Sequence, residues 1–106
     1  MTTDRDRLRQ SLIARREATF VLRVRGDSMI DDHICDGDLV LVESRRSARN
    51  GETVVAVVDD EVTLKRFYRE KGKIRLQPAN PALRARTYPT AAVKIRGVLR
   101  GIIRRA

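Results

Sequence analysis

The sequence contains few of the residues on which disulfides and histidine-based sites depend. Its 106 residues include one cysteine, one histidine and no tryptophan. The single Cys35 cannot form an internal disulfide, and nothing in the composition suggests secretion. Four aromatic residues, two Phe and two Tyr, leave the core to Val, Leu and Ile. We assign no metal ion and no cofactor to the chain.

Long apolar segments are also missing. No apolar run approaches the roughly 18–20 residues that a membrane span requires. The N-terminal residues 1–16 are polar and carry no apolar signal-peptide core. The sequence therefore predicts a soluble, cytoplasmic protein that has no membrane contact and no small-molecule ligand.

Acidic residues are outnumbered, 14 against 23 Lys and Arg, which gives a net charge of +9. A chain of this length, 42% hydrophobic, forms one small globular domain with one core. Its positive charge favours attraction to nucleic acid or other anionic surfaces. Many of the Arg residues lie along strand-like segments, however, where they are equally consistent with a solvated sheet face. A basic nucleic-acid-binding domain therefore remains one open interpretation.

What the sequence does contain is a series of short apolar runs separated by turn residues. The runs cover residues 20–25, 39–42, 53–58, 61–67, 74–76 and 93–104. Asp59-Asp60 separates two of them by two residues, which is typical of a hairpin. We predict an all-β fold, a small, twisted and partly closed sheet, over residues 20–106. Residues 1–19 are predicted to form a basic arm or linker, with a short helix as the alternative.

One turn separates the first two runs and has the composition of a nucleophile loop. Gly26-Asp27-Ser28-Met29 follows the strand-like run 20–25. Gly accepts a positive φ and Asp hydrogen-bonds its own backbone, so the chain turns sharply here. Ser28 would project its hydroxyl beside free backbone N–H groups, as a nucleophile beside an oxyanion hole does. A plain turn is the competing interpretation.

A serine nucleophile needs a base, and the sequence offers two candidates. His33 lies five positions beyond Ser28, where Asp31, Asp32 or Asp36 could orient it, but residues of one loop rarely converge in this way. Lys65 is the other candidate. In its strand Thr63, Lys65 and Phe67 share one face, so Lys65 is not flanked by charged side chains there. Burial would have to lower the pKa of Lys65 for it to accept a proton, and a solvated lysine is the alternative.

Five motifs in order resemble a known family. They are Val24-Arg25-Gly26-Asp27-Ser28-Met29, Asp36-Gly37-Asp38-Leu39-Val40, Asn50-Gly51-Glu52, Val62-Thr63-Leu64-Lys65-Arg66 and Leu76-Gln77-Pro78-Ala79-Asn80-Pro81. Together they are similar to the C-terminal domain of LexA-type repressors, the self-cleaving S24 serine peptidases. The resemblance implies a Ser-Lys dyad in which Ser28 is the nucleophile and Lys65 the general base. It also implies oxyanion donors at the backbone N–H groups of Met29 and Ser28.

The resemblance carries expectations about partners as well. It implies a homodimer, with the apolar run 98–103 as an interface strand, and it implies a repressor of DNA-damage-response (SOS) genes. In a full-length parent, the partners would be operator DNA and a recombinase filament on single-stranded DNA.

Two features depart from the family. About nineteen residues precede the matched region, too few for a winged helix-turn-helix domain. Neither Ala-Gly nor Cys-Gly, the bonds that the family cleaves, occurs in the sequence. We therefore keep two interpretations open: a fragment of a repressor, or a stand-alone relative that acts in trans. A UmuD-like dimeric accessory protein with an idle dyad is the alternative function.

Overall fold

The computed structural model describes residues 19–104. Within them the chain forms antiparallel strands joined by turns, loops and two short 3-10 helices, at Ile30–Asp32 and Thr90–Ala92. The strands are β1 (Thr19–Arg23), β2 (Leu39–Ser44), β3 (Thr53–Val58), β4 (Glu61–Glu70), β5 (Lys73–Gln77), β6 (Arg86–Pro89) and β7 (Lys94–Ile103). The predicted all-β fold is confirmed. The predicted arm lies outside the described residues, except for Thr19, which begins β1.

All seven strands belong to one sheet, in the order β1-β2-β7-β3-β4-β5-β6. The sheet is not closed, because its two outermost strands are β1 and β6. The last strand of the chain lies between β2 and β3 and is therefore an interior strand. Nothing in residues 19–104 forms a helix long and apolar enough to cross a membrane.

The β3–β4 connection is the two-residue hairpin that the sequence predicted. Val58 pairs with Glu61, and Asp59 and Asp60 have φ angles of 51° and 64°. Two successive residues with positive φ match the twist of the adjoining strands, and Asp tolerates this conformation better than most residues. The hairpin sets the register in which Lys65 pairs with Val54.

Gly97 allows β2 and β7 to approach each other closely. A Cβ atom at this position would lie 2.4 Å from Val42 Cγ1 and 2.6 Å from the Glu43 carbonyl oxygen. No side chain fits in that space, so glycine at position 97 allows the two backbones to come this close. The pairing of β7 with β3 also shifts register between Val55 and Ala56.

Apolar side chains form two buried clusters. The first contains Val54, Ala56, Val58, Phe67, Ile74, Leu76, Val93, Ile95 and Val98. The second contains Phe20, Leu22, Met29, Ile34, Val40, Val42, Val55 and Ala79. Strand β4 contributes to both, because Phe67 belongs to the first cluster and Leu64 packs against the second. The strand that carries Lys65 is thus held from both of its faces.

Candidate active site

The loop between β1 and β2, residues 24–38, carries Ser28 and is closed at its base by backbone hydrogen bonds. The Val24 N–H donates to the Asp38 carbonyl at 2.8 Å, and the Gly37 N–H donates to the Val24 carbonyl at 2.9 Å. Gly26 has a φ of 84°, and its N–H donates to the Asp36 carboxylate at 2.7 Å. We call this segment the Ser28 loop. Its closed base places Ser28, half-buried, beyond the end of β1.

Met29 anchors the loop immediately after the serine. Its side chain is only 1% exposed and packs in the second cluster. Its sulfur accepts a hydrogen bond from the Ala79 N–H at 3.3 Å, and its carbonyl accepts from the Asp32 N–H at 3.0 Å. Within residues 19–104, the N–H groups of Ser28 and Met29 make no hydrogen bond. Both donors therefore lack a hydrogen-bond partner among the described residues.

Lys65 reaches Ser28 from strand β4. Its Nζ lies 3.1 Å from Ser28 Oγ, 2.6 Å from Thr63 Oγ1 and 3.2 Å from the Leu64 carbonyl oxygen. Lys65 lies on the face of β4 that the alternation predicted, with Thr63 and the buried Phe67. Burial lowers its pKa from the ordinary value of 10.5, because desolvation disfavours the charged amine.

A neutral amine can make all three contacts, as an ammonium group can. A neutral amine has two N–H donors and one lone pair. A carbonyl oxygen only accepts, and the Thr63 hydroxyl is able to accept. When Leu64 and Thr63 take the two N–H groups, the lone pair is left for the Ser28 hydroxyl. Among the described ion pairs none involves Lys65, so no carboxylate stabilises its charged form.

The other candidate base is not brought to the serine. His33 is an exposed residue with a φ of 62° at the end of the 3-10 helix Ile30–Asp32, and Ser28 Oγ is hydrogen-bonded to Lys65 instead. Two of its possible orienting groups are occupied elsewhere. Asp32 pairs with Arg66, and Asp36 accepts from Gly26. The hypothesis that His33 acts as the base receives no support from this geometry.

Ser28 and Lys65 lie where two grooves meet. The first groove, about 280 Å³, has mainly apolar walls that include Leu22, Val40, Val62 and Leu64. The second groove, about 450 Å³, is more polar and is lined by acidic and basic groups together with Leu83 and Tyr88. Because both grooves include Ser28, Thr63 and Lys65, a chain lying along them would pass directly over the dyad. No group of three or more His, Cys, Asp or Glu in residues 19–104 could hold a metal ion.

Sequence reasoning did not find the ion pairs that hold the Ser28 loop. Arg66 pairs with Asp32, and Arg104 binds Asp38 through two nitrogens, at 3.0 and 2.7 Å. These partners are 34 and 66 positions apart in the sequence. No periodicity marks pairs at such separations, and one sequence alone holds no signal that would have joined them.

Comparison with known proteins shows the family to which the chain belongs. Residues 2–100 match the model of the family described as Peptidase S24-like. The chain belongs to the peptidase S24 family. This chain is 49% identical over 86 residues to a LexA repressor of Thermotoga petrophila. The aligned segment covers 81% of this chain and 44% of the relative. The chain is 62% identical over 65 residues to a LexA repressor of Desulfitobacterium hafniense, covering 61% of this chain and 32% of the relative.

The likeness identifies a LexA-type S24 domain. A LexA repressor of Clostridium novyi is 50% identical over 86 residues, covering 81% of this chain and 42% of the relative. The chain thus spans less than half the length of these curated relatives. The matched part includes both Ser28 and Lys65.

Proposed function

We propose that this S24 domain is a serine peptidase with a Ser28–Lys65 dyad and that it belongs to a LexA-like repressor of the DNA-damage (SOS) response. The observation that carries the proposal is the 3.1 Å separation of Lys65 Nζ and Ser28 Oγ beside two free backbone N–H groups. A desolvated lysine without a carboxylate partner is the type of base that Ser-Lys peptidases use. The reaction is hydrolysis of a peptide bond.

The proposed reaction has two stages. Neutral Lys65 accepts the Ser28 proton while Oγ attacks the scissile carbonyl carbon. The N–H groups of Ser28 and Met29 stabilise the negative oxygen of the tetrahedral intermediate. The C–N bond breaks, and the lysine proton passes to the leaving amine. A water molecule, deprotonated by Lys65, then cleaves the acyl-enzyme and restores the Ser28 hydroxyl.

The proposed substrate is an extended peptide segment that lies along both grooves. β4 pairs with β5 only from Arg66 onward, so its residues 61–65 have one edge unpaired within the described residues. A substrate strand could hydrogen-bond to that edge, in the manner of strand addition. Because the sequence contains neither Ala-Gly nor Cys-Gly, the bond cleaved by this dyad would lie outside these 106 residues.

The proposed partners follow from the family resemblance. We propose a homodimer and, in a full-length repressor, operator DNA and a recombinase filament on single-stranded DNA. β7 is an interior strand, but its last residues, Ile102 and Ile103, are 40% and 50% exposed. Two exposed isoleucines at the end of one strand are consistent with a contact between subunits.

Cleavage in trans tests the proposal. The chain is mixed with a LexA-type repressor that contains Ala-Gly but lacks its own nucleophile, and the products are followed by mass spectrometry from pH 7 to 10. We expect a cut at Ala-Gly that accelerates with pH and is lost in Ser28→Ala and in Lys65→Ala. Cleavage that persists in either variant would refute the dyad.

One observation favours a second candidate, a UmuD-like dimeric binding module with an idle dyad. That observation is the absence of a family-type cleavage bond from the sequence. This candidate predicts a folded dimer in which a serine-directed phosphonate does not label Ser28. Labelling that depends on Lys65 would exclude it.

A further inference from the structure

Asp32 and Arg66 form a two-point ion pair beside the dyad. Arg66 Nε donates to Asp32 Oδ2 at 2.9 Å, and Arg66 Nη2 donates to Asp32 Oδ1. Paired hydrogen bonds between a guanidinium and a carboxylate fix orientation as well as distance. The Arg66 side chain is 39% exposed and the Asp32 side chain 22%, so the pair is partly shielded from water.

The pair joins the two segments that carry the dyad. Arg66 follows Lys65 in β4, and Asp32 lies in the 3-10 helix that begins two residues after Ser28. Among the hydrogen bonds described for residues 19–104, only this pair and the Lys65–Ser28 contact join the Ser28 loop to β4.

The remaining hydrogen bonds of the loop lead away from β4. The Asn80 side chain donates to the Asp27 carbonyl at 2.9 Å, and the Asp31 N–H donates to the Ala79 carbonyl at 2.7 Å. Both bonds tie the loop to residues 78–81 rather than to β4. These bonds do not fix the distance between Ser28 and Lys65, because neither of them involves β4.

We propose that Asp32 and Arg66 are positioning residues that set the distance between Ser28 Oγ and Lys65 Nζ. One hydrogen bond between neutral groups contributes little net stability, so the dyad contact alone cannot hold a loop in place. A displacement of about 1 Å is enough to slow a reaction by about 10²-fold. The inference rests on the proposed peptidase function, because a positioning role requires a reactive dyad.

The test compares this pair with a matched pair elsewhere in the sheet. Arg100 Nε donates to Glu43 Oε1 at 2.6 Å, and these side chains are 42% and 18% exposed, close to the values for Arg66 and Asp32. The variants are Asp32→Asn, Arg66→Gln and Arg66→Lys, with Glu43→Gln and Arg100→Gln as controls. Two quantities are measured: the rate at which a fluorophosphonate labels Ser28, and hydrogen exchange of the amides of residues 28–32.

We expect Asp32→Asn and Arg66→Gln each to lower the maximal labelling rate by about 10- to 100-fold. The probe concentration that gives half of that rate should stay the same. The Asp32→Asn/Arg66→Gln double variant should be no slower than either single variant, and Arg66→Lys should restore part of the rate. Exchange of the 28–32 amides should accelerate in the slow variants and not in Glu43→Gln or Arg100→Gln.

A further variant separates positioning from general loss of structure. In a Lys65→Ala background Asp32→Asn should cause no additional loss of labelling, because there is no base left to be misplaced. Equal labelling and exchange in the Asp32 and Glu43 variants would overturn the inference. An additional loss in the Lys65→Ala background would overturn it as well.

The same experiment distinguishes failure of this inference from failure of the proposed function. Absence of Lys65-dependent labelling in the wild type would refute the proposed function. The positioning role would fall with it, and hydrogen exchange would still decide whether the pair holds the loop.

Discussion

Lys65 is the residue on which the proposed chemistry of this site depends. Its amine contacts three oxygen atoms, none of which belongs to a carboxylate. Burial without a compensating negative charge lowers the pKa of Lys65, which is the condition that a lysine base requires. Thr63 makes the shortest of these contacts, 2.6 Å, and therefore contributes most directly to the orientation of the amine.

We predict that replacing this threonine slows the reaction of Ser28. Thr63→Val keeps the shape of the side chain and removes the oxygen that accepts from Lys65. We expect Ser28 labelling to slow by about tenfold or more, because a half-buried amine loses one of its two acceptors and the lone pair is no longer directed at Ser28. The measurement is the phosphonate labelling rate at fixed pH.

Thr63→Ser is the control for that prediction, since it keeps the hydroxyl group. It should retain a labelling rate within about threefold of the wild type, because the same hydrogen bond can form. Equal rates in Thr63→Val and Thr63→Ser would show that the threonine oxygen does not orient Lys65.

At the residue scale the sequence predicted the parts of the site that follow from local rules. Alternation along a strand placed Lys65 beside Thr63 and Phe67, and the Gly-Asp turn placed Ser28 at a bend. The bond between Ser28 and Lys65 was implied by the family resemblance and not by any local pattern. The Asp32–Arg66 pair was missed, because tertiary contacts between charged groups leave no trace in local spacing.

Among the elements, the close packing of β7 against β2 depends on Gly97. We predict that Gly97→Ala destabilises the protein by about 1–3 kcal/mol, the range for overpacking a tight site. The added methyl group would overlap Val42 Cγ1 and the Glu43 carbonyl oxygen. The free energy of unfolding, from urea denaturation, measures the effect.

Gly101→Ala, in the same strand, is the matched control. A Cβ atom there would first meet Leu41 Cβ at 3.8 Å, an ordinary contact. Its free energy of unfolding should equal that of the wild type or exceed it by up to about 1 kcal/mol, since alanine suits a strand better than glycine. Similar losses in both variants would contradict the close-approach explanation.

The end of β7 is also joined to the Ser28 loop by Arg104 and Asp38. The hydrogen bonds from Arg104, and then that from the Cys35 N–H, lower the pKa of the buried Asp38 carboxyl from 3.8 to about 2. A carboxyl whose pKa is lower in the folded state stabilises the fold at pH values above its unfolded pKa. That contribution is lost as the pH falls from about 4 to about 2.

This linkage gives a prediction for acid stability. The Tm of the wild type should fall between pH 4 and pH 2 more steeply than the Tm of Asp38→Asn, which has no proton to bind at that position. Differential scanning calorimetry across this range measures both slopes. Equal slopes would show that Asp38 does not contribute to acid unfolding.

The elements themselves were largely predictable, and their arrangement was not. The run 53–58 was predicted with the bounds of β3, because six residues rich in valine fit a buried strand and little else. β6 was missed, since Arg86–Pro89 is short, mostly exposed and ends in proline, as edge strands often do. Nothing local could show that β7 inserts between β2 and β3, because that order depends on contacts distant in sequence.

For the whole molecule, the sheet order determines the site. The Ser28 loop follows β1, which is an edge strand of the sheet. Lys65 lies on β4, and three strands separate β4 from β1. The loop reaches β4 because Met29 and Ile34 pack into the second cluster, against which Leu64 of β4 also packs, and we propose that the Asp32–Arg66 pair then sets the distance between the two residues. The same fold, in a chain that belongs to the S24 family, accounts for a hydrogen bond between residues 37 positions apart.

In the proposed mechanism neutral Lys65 activates Ser28. The most direct test is the pH dependence of Ser28 labelling by a serine-directed phosphonate in the wild type and in Lys65→Ala. We expect a rate that rises with pH and levels off below pH 10.5, because the pKa of Lys65 is lowered. We also expect Lys65→Ala to be slower by about 10²–10⁴-fold, the usual contribution of a general base. A rate that is flat from pH 6 to 10, or equal in the two proteins, would contradict this mechanism.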